Sequence, residues 1–85
     1  MEMKKIYYAV FDKEAKLYSQ PFLEVTDGTA IRAVQDLVIN SKDHVFAKHP
    51  GDFSLHRLGE FDEGTGVITG QEKPEKIIDI ETLGE

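Results

Sequence analysis

Cysteine and tryptophan are absent from this 85-residue chain, proline occurs three times, and no apolar run is long. Without thiols there is no disulfide framework, no thiolate metal site and no cysteine nucleophile, so a reducing cytosol is the expected compartment. Nothing approaches the roughly 18 consecutive apolar residues of a membrane span, and no membrane partner is expected. MEMKKIYYAVF, at the start, has charges on both sides of a short apolar run and no small-residue cleavage signal, so it reads as a strand rather than a signal peptide. GxSxG, P-loop and GxGxxG patterns are missing, and Ser19, Ser41 and Ser54 stand at no recognisable spacing from a base, so neither an enzyme nor a cofactor is expected.

Metal-ligand patterns are equally sparse. No pair among His44, His49 and His56 has the i, i+4 spacing of a helical zinc site, and Lys48 between the first two opposes a cation. EFDEGTG at 60–66 gathers Glu60, Asp62 and Glu63 beside glycines, but it lacks the twelve-residue ligand ladder of an EF-hand and reads as a charged hairpin tip. No metal site is expected.

Positive charge is scarce in one half. The net charge is −6. Residues 1–48 carry seven Lys or Arg against seven Asp or Glu, whereas residues 49–85 carry three against nine. Affinity for phosphates grows with the cations that displace counterions, so any nucleic-acid surface must be local and in the first half.

What is present suffices for one small core. With 40% hydrophobic residues, five Phe and three Tyr, the chain can build a single sheet with one covering helix, and splitting it would leave pieces too small to fold unaided. A single domain over 1–85 is expected, with 1–3 and 81–85 as flexible ends. KKIYYAVF is apolar at both alternating sets, Ile6, Tyr8, Val10 and Tyr7, Ala9, Phe11, which predicts a first strand near 4–11, buried on both faces or paired across a subunit boundary. DKEA is a turn, and KLYSQPF is a second strand that Pro21 interrupts or confines to an edge. The period then lengthens. Ala30, Ala33, Val34, Leu37 and Val38 define an amphipathic helix at about 28–40, N-capped by Thr26 or Asp27. SKDHVFAKHPGD is a loop whose Val45 and Phe46 tuck into the core edge; FSLHRLGEF is a strand that shifts face near Gly59; VIT and, after a Pro74 linker, KIIDI complete the sheet, with ETLGE as a tail. The expected fold class is α+β, an antiparallel sheet of about five strands in ββαβββ order with one helix on one face. One helix leaves the other face bare, so a homodimer is expected.

Lys4, Lys5, Lys13 and Lys16 lie on the first hairpin, where Tyr7, Tyr8, Tyr18 and Phe22 offer rings. Cations with stacking rings are the ingredients of a single-strand nucleic-acid surface. The same letters also suit an ordinary hairpin, because Tyr and Phe favour strands and lysines protect sheet edges.

Taken together, MKKIYYAVFDKEAKLYSQPF, DGTAIRAVQDLV, KHPGDFSLHRLGEFDEGTG and EKPEKII resemble the small nonstructural protein of gokushoviruses, the tailless single-stranded-DNA phages of the Microviridae, over about residues 3–80. YAVFDKEAKLYSQPF and LGEFDEGTG are the specific parts. The resemblance implies a non-enzymatic accessory of phage DNA replication, acting in the cytoplasm of the infected bacterium at the switch from duplex replication to single-strand synthesis or at packaging. It names no catalytic residue. By physical type the candidate nucleic-acid-binding residues are Lys4, Lys5, Tyr7, Lys13, Lys16, Tyr18, Arg32 and Arg57, and the expected partner is single-stranded DNA with weak sequence preference. The alternative is an interaction module whose acidic C-terminal half binds phage or host replication or packaging proteins.

Overall fold

The computed structural model describes residues 3–83 and has the expected α+β class: one antiparallel sheet of five strands with one main helix. In chain order the elements are β1 (Lys4–Asp12), β2 (Leu17–Tyr18), β3 (Phe22–Glu24), α1 (Asp27–Asn40), the short α2 (Val45–Lys48), β4 (Phe53–Asp62) and β5 (Ile68–Asp79). Across the sheet, β1 is flanked by β2 and β3 on one side and by β4 on the other, and β5 forms the far edge. Three strands therefore precede the helix and two follow it, where ββαβββ placed two before and three after.

Both differences from the expected order have local causes. The expected second strand is split because Pro21 has no N–H to donate. Ser19 patches the gap: its N–H donates to the Val10 carbonyl at 2.8 Å and its Oγ accepts from the Val10 N–H at 2.9 Å. The two expected final strands are instead one. The partners Gly59–Gly70 and Arg57–Glu75 set four β5 residues, Gln71 to Pro74, opposite the single residue Leu58. Pro74 thus sits in a bulge on an edge strand, where no ladder bond needs its missing donor. The shift of face foreseen near Gly59 is present, since the β1–β4 register jumps there and Leu58 is the extra residue. A Cβ at Gly59 would run into the Thr69 carbonyl oxygen and come within 2.9 Å of Gly70 Cα, so the close approach of β5 requires glycine.

Alternation on β1 sorts the core. Ile6, Tyr8 and Val10 face α1 together with Phe22, Phe53, Leu55 and Ile78, and the helix contributes Ala30, Val34 and Val38 at i, i+4 and i+8. Ala33, expected in this stripe, is exposed. Thr26 is the N-cap; its hydroxyl accepts from the Thr29 N–H while the Thr29 hydroxyl oxygen accepts from the Thr26 N–H, a reciprocal capping box.

Residues 41–52, expected as a loop, hold α2 and a 3₁₀ turn at Pro50–Asp52. His44 caps α2 with Nδ1 accepting from the Phe46 N–H at 3.1 Å. Phe46 packs on Phe53 with ring centroids 4.8 Å apart, whereas Val45, one residue round the turn, points outward and is 46% exposed. At the start of the expected tail, Ile80–Leu83 form a 3₁₀ turn whose Ile80 and Leu83 are buried in the core. At the other end the Met3 carbonyl accepts from the Glu63 N–H. Of the expected flexible ends, residues 1, 2, 84 and 85 lie outside the described residues.

Candidate nucleic-acid interface

The face of the sheet opposite α1 is where rings and cations can meet a ligand. It carries Lys5, Tyr7, Ala9 and Phe11 from β1, Tyr18 and Leu23 from the adjoining edge, Ser54, His56, Leu58 and Phe61 from β4, and Ile68, Lys76 and Asp79 from β5. Phe11, Tyr18 and His56 form one cluster, with centroids 4.6 Å apart for Phe11–Tyr18, 5.8 Å for Phe11–His56 and 5.5 Å for Tyr18–His56. The histidine lies edge-on to both rings, the arrangement that the ring quadrupole favours. Tyr18 remains 44% exposed. Further along, Tyr7 and Phe61 meet edge to face at 6.4 Å.

The eight expected binding residues do not share one surface. Lys5, Tyr7 and Tyr18 lie on this open face, and Lys13 reaches its rim from the β1–β2 turn. Arg57 does not. It lies on the helix side, where its guanidinium donates to both oxygens of Asp27, with Nε at 3.2 Å from Oδ1, and reaches Glu75 at 3.5 Å. The Tyr8 hydroxyl donates to the same Asp27. Burial by itself would raise the Asp27 carboxyl, but the bonds from Tyr8 and Arg57 outweigh it and hold the group below the usual carboxylate range. Tyr8, desolvated and bonded to an anion, is pushed far up and stays a phenol. Arg57 and Tyr8 thus fasten the N-terminus of α1 to the sheet. Arg32 is exposed on the outside of α1, and Lys4 points to the helix side of the sheet beyond the helix.

The acidic half also takes a different place from the one charge counting implied. Rather than standing apart, β4 and β5 lie beside β1 and bring carboxylates onto the hairpin lysines: Lys4–Glu60 at 3.6 Å, Lys5–Glu63 at 2.9 Å and Lys13–Asp79 at 3.1 Å. Lys16 sits at φ 61°, a left-handed turn position closed by its N–H to the Asp12 carbonyl at 2.7 Å, and makes no ion pair among the described residues. The hairpin by itself is therefore no cationic ribbon.

Phe11, His56, Phe61, Lys76 and Asp79 were not among the expected site residues. Phe11 and His56 were within reach of sequence reasoning, because i, i+2 spacing on a strand puts side chains on one face. The same spacing sets Ser54 Oγ 2.8 Å from His56 Nε2, a hydroxyl–imidazole pair where no base was expected. Ser54 is 1% exposed, and His56 Nδ1 is buried with no hydrogen-bond partner among the described residues. Burial, and then the nearby charge of Lys76 and Lys13, lowers the His56 pKa and favours the neutral ring.

No helix among the described residues is long and apolar enough to cross a membrane. Neither a curated protein nor a solved structure matches the chain. The family model described as Phage ORF5 protein matches residues 5–83, which takes in the helix and all of the sheet but its first residue, and the chain belongs to this family of phage proteins.

Proposed function

We propose that this phage protein is a non-enzymatic accessory of single-stranded-DNA genome replication, and that it binds single-stranded DNA on the open face of its sheet. The observation that carries the reading is the Phe11–Tyr18–His56 cluster, solvent-accessible at Tyr18 and rimmed by lysines, on a face that no helix among the described residues covers. A base stacked on such a ring gains about 1–3 kcal/mol, and any base can do so, which gives weak sequence preference. The gokushovirus resemblance supplies the setting: the cytoplasm of an infected bacterium, at the switch to single-strand synthesis or at packaging. Binding is expected to be modest, because three of the four hairpin lysines are already ion-paired.

The opposite end of the open face favours a second surface. Tyr7, Pro21, Leu58, Gly59, Ile68, Thr69 and Gly70 line a groove of about 340 Å³, and none of these residues is charged. Such a lining suits protein rather than phosphate, and we assign it to a second copy of the chain, giving the homodimer; a phage or host replication or packaging protein is the alternative occupant.

Titration of labelled single-stranded and duplex oligonucleotides at two salt concentrations tests the first reading. Single-strand binding is expected to weaken with log salt at about −0.7 per phosphate contact, with duplex bound more weakly. An absence of salt-sensitive binding at low ionic strength overturns it.

A further inference from the structure

Asp79 is shared by two ammonium groups that come from opposite ends of the chain. Lys13, on the β1–β2 turn, places Nζ 3.1 Å from Oδ1, and Lys76, on β5, places Nζ 2.9 Å from Oδ2. Lys13 Nζ also lies 3.4 Å from the Gly51 carbonyl. Two cations on one anion leave the trio with a formal charge of +1. Asp79 is the register partner of Ser54, and Lys76 that of His56, so the trio adjoins the Phe11–Tyr18–His56 cluster. Its members are all accessible, with side chains 39% exposed at Lys13, 51% at Lys76 and 31% at Asp79. Exposed ion pairs of this kind contribute little, so a second anion can replace one partner at small cost.

We propose that this trio and Tyr18 form a nucleotide subsite in which Asp79 occupies the place of a backbone phosphate. An incoming strand takes Lys13 and Lys76 from Asp79 through two phosphate oxygens, while a neighbouring base lies on Tyr18. The assignment rests on the single-strand reading above and deepens it: Asp79 is a competing anion that restrains affinity. A duplex, whose bases are stacked inside the helix, offers the phosphate but no base, so the subsite selects single strands.

The test uses the full chain and labelled oligothymidylate, with an abasic oligomer of equal length as the control for stacking. Asp79→Asn is expected to tighten oligothymidylate binding several-fold at low salt and to steepen the salt slope by about 0.7 for each phosphate newly engaged. The gain is expected to vanish when Lys13→Ala and Lys76→Ala are both present, and Tyr18→Ala is expected to erase about tenfold of the preference for oligothymidylate over the abasic strand. Far-UV circular dichroism and thermal melting confirm that each variant is folded. If the unaltered protein binds while Asp79→Asn gains nothing, or gains as much without the two lysines, the subsite is wrong and the single-strand reading stands. If neither protein binds oligothymidylate at low salt, the single-strand reading falls and takes the subsite with it.

Discussion

Tyr7 and Tyr8 are chain neighbours with the same side chain and opposite surroundings. Tyr8 is wholly buried beneath α1, tilted against Phe22 at 6.0 Å, with its hydroxyl committed to Asp27. Tyr7 is half-buried on the open face, edge-on to Phe61, and lines the apolar groove. One step along a strand separates a ring that holds the fold from a ring available to a partner. The two faces of the sheet differ in the same way: one is closed by a helix and a polar fastening at its N-terminus, the other bears rings, lysines and carboxylates with no helix over them among the described residues.

Matched substitutions on the two faces test that division. Leu55 is fully buried on the helix side, whereas Leu23, the register partner of Tyr7, is 39% exposed. Leu55→Ala is expected to destabilise by about 2–5 kcal/mol, through lost burial and the cavity left behind. Leu23→Ala, which removes little area from a dry environment, is expected to stay within about 1 kcal/mol. Urea unfolding followed by circular dichroism compares them, and equal losses would mean that the open face is as well packed as the core.

A smaller contrast isolates the hydroxyls. Tyr8→Phe withdraws a donor from Asp27 and is expected to destabilise by about 1–3 kcal/mol, while Tyr7→Phe, for whose hydroxyl no bond is found among the described residues, is expected to be near neutral in the same unfolding assay. Loss of stability in both would break the distinction.

Acid titrates groups on both faces in two separate windows. His56, on the open face, has a folded pKa below its usual 6.5, because burial and the nearby lysines oppose its charged form. The unfolded chain then takes up the proton first, so stability declines as pH falls below about 6.5. On the helix side Asp27 has a lowered folded pKa, and Asp79 on the open face has one too, held down by Lys76 and Lys13; their contributions are present above the usual 3.8 and are lost below it. Melting temperatures measured between about pH 3 and pH 8 are expected to show both declines. His56→Gln should remove the upper one, and Asp27→Asn should shrink the lower. An upper decline that survives His56→Gln would assign it to another group.

Period and punctuation made much of this legible in advance. Alternation in KKIYYAVF predicted a strand with two apolar faces, and the helix followed from the spacing of Ala30, Ala33, Val34, Leu37 and Val38, with Thr26 or Asp27 as the expected cap; the structure chooses Thr26 and leaves Ala33 exposed. Pro21 announced the break in the second strand, and Gly59 the shift of register. Less was readable where chain distance is large. Pro74 read as a linker because a proline normally ends a strand, and the bulge that accommodates it depends on where Leu58 lies opposite. Leu83 read as part of a tail because the surface it covers belongs to other elements.

For the candidate site the division is similar. Sequence alone determined that rings and lysines would share the first hairpin, since adjacent positions on a strand and its turn are set by local geometry. The tertiary structure decided which of those groups are free to act. It committed Arg57 and Tyr8 to Asp27, laid the acidic half along the lysines, and assembled Lys13, Lys76 and Asp79 next to His56 of the ring cluster. Ion pairs and faces of that kind depend on strand register across the whole chain, and register is set by the packing of the entire sheet against its helix.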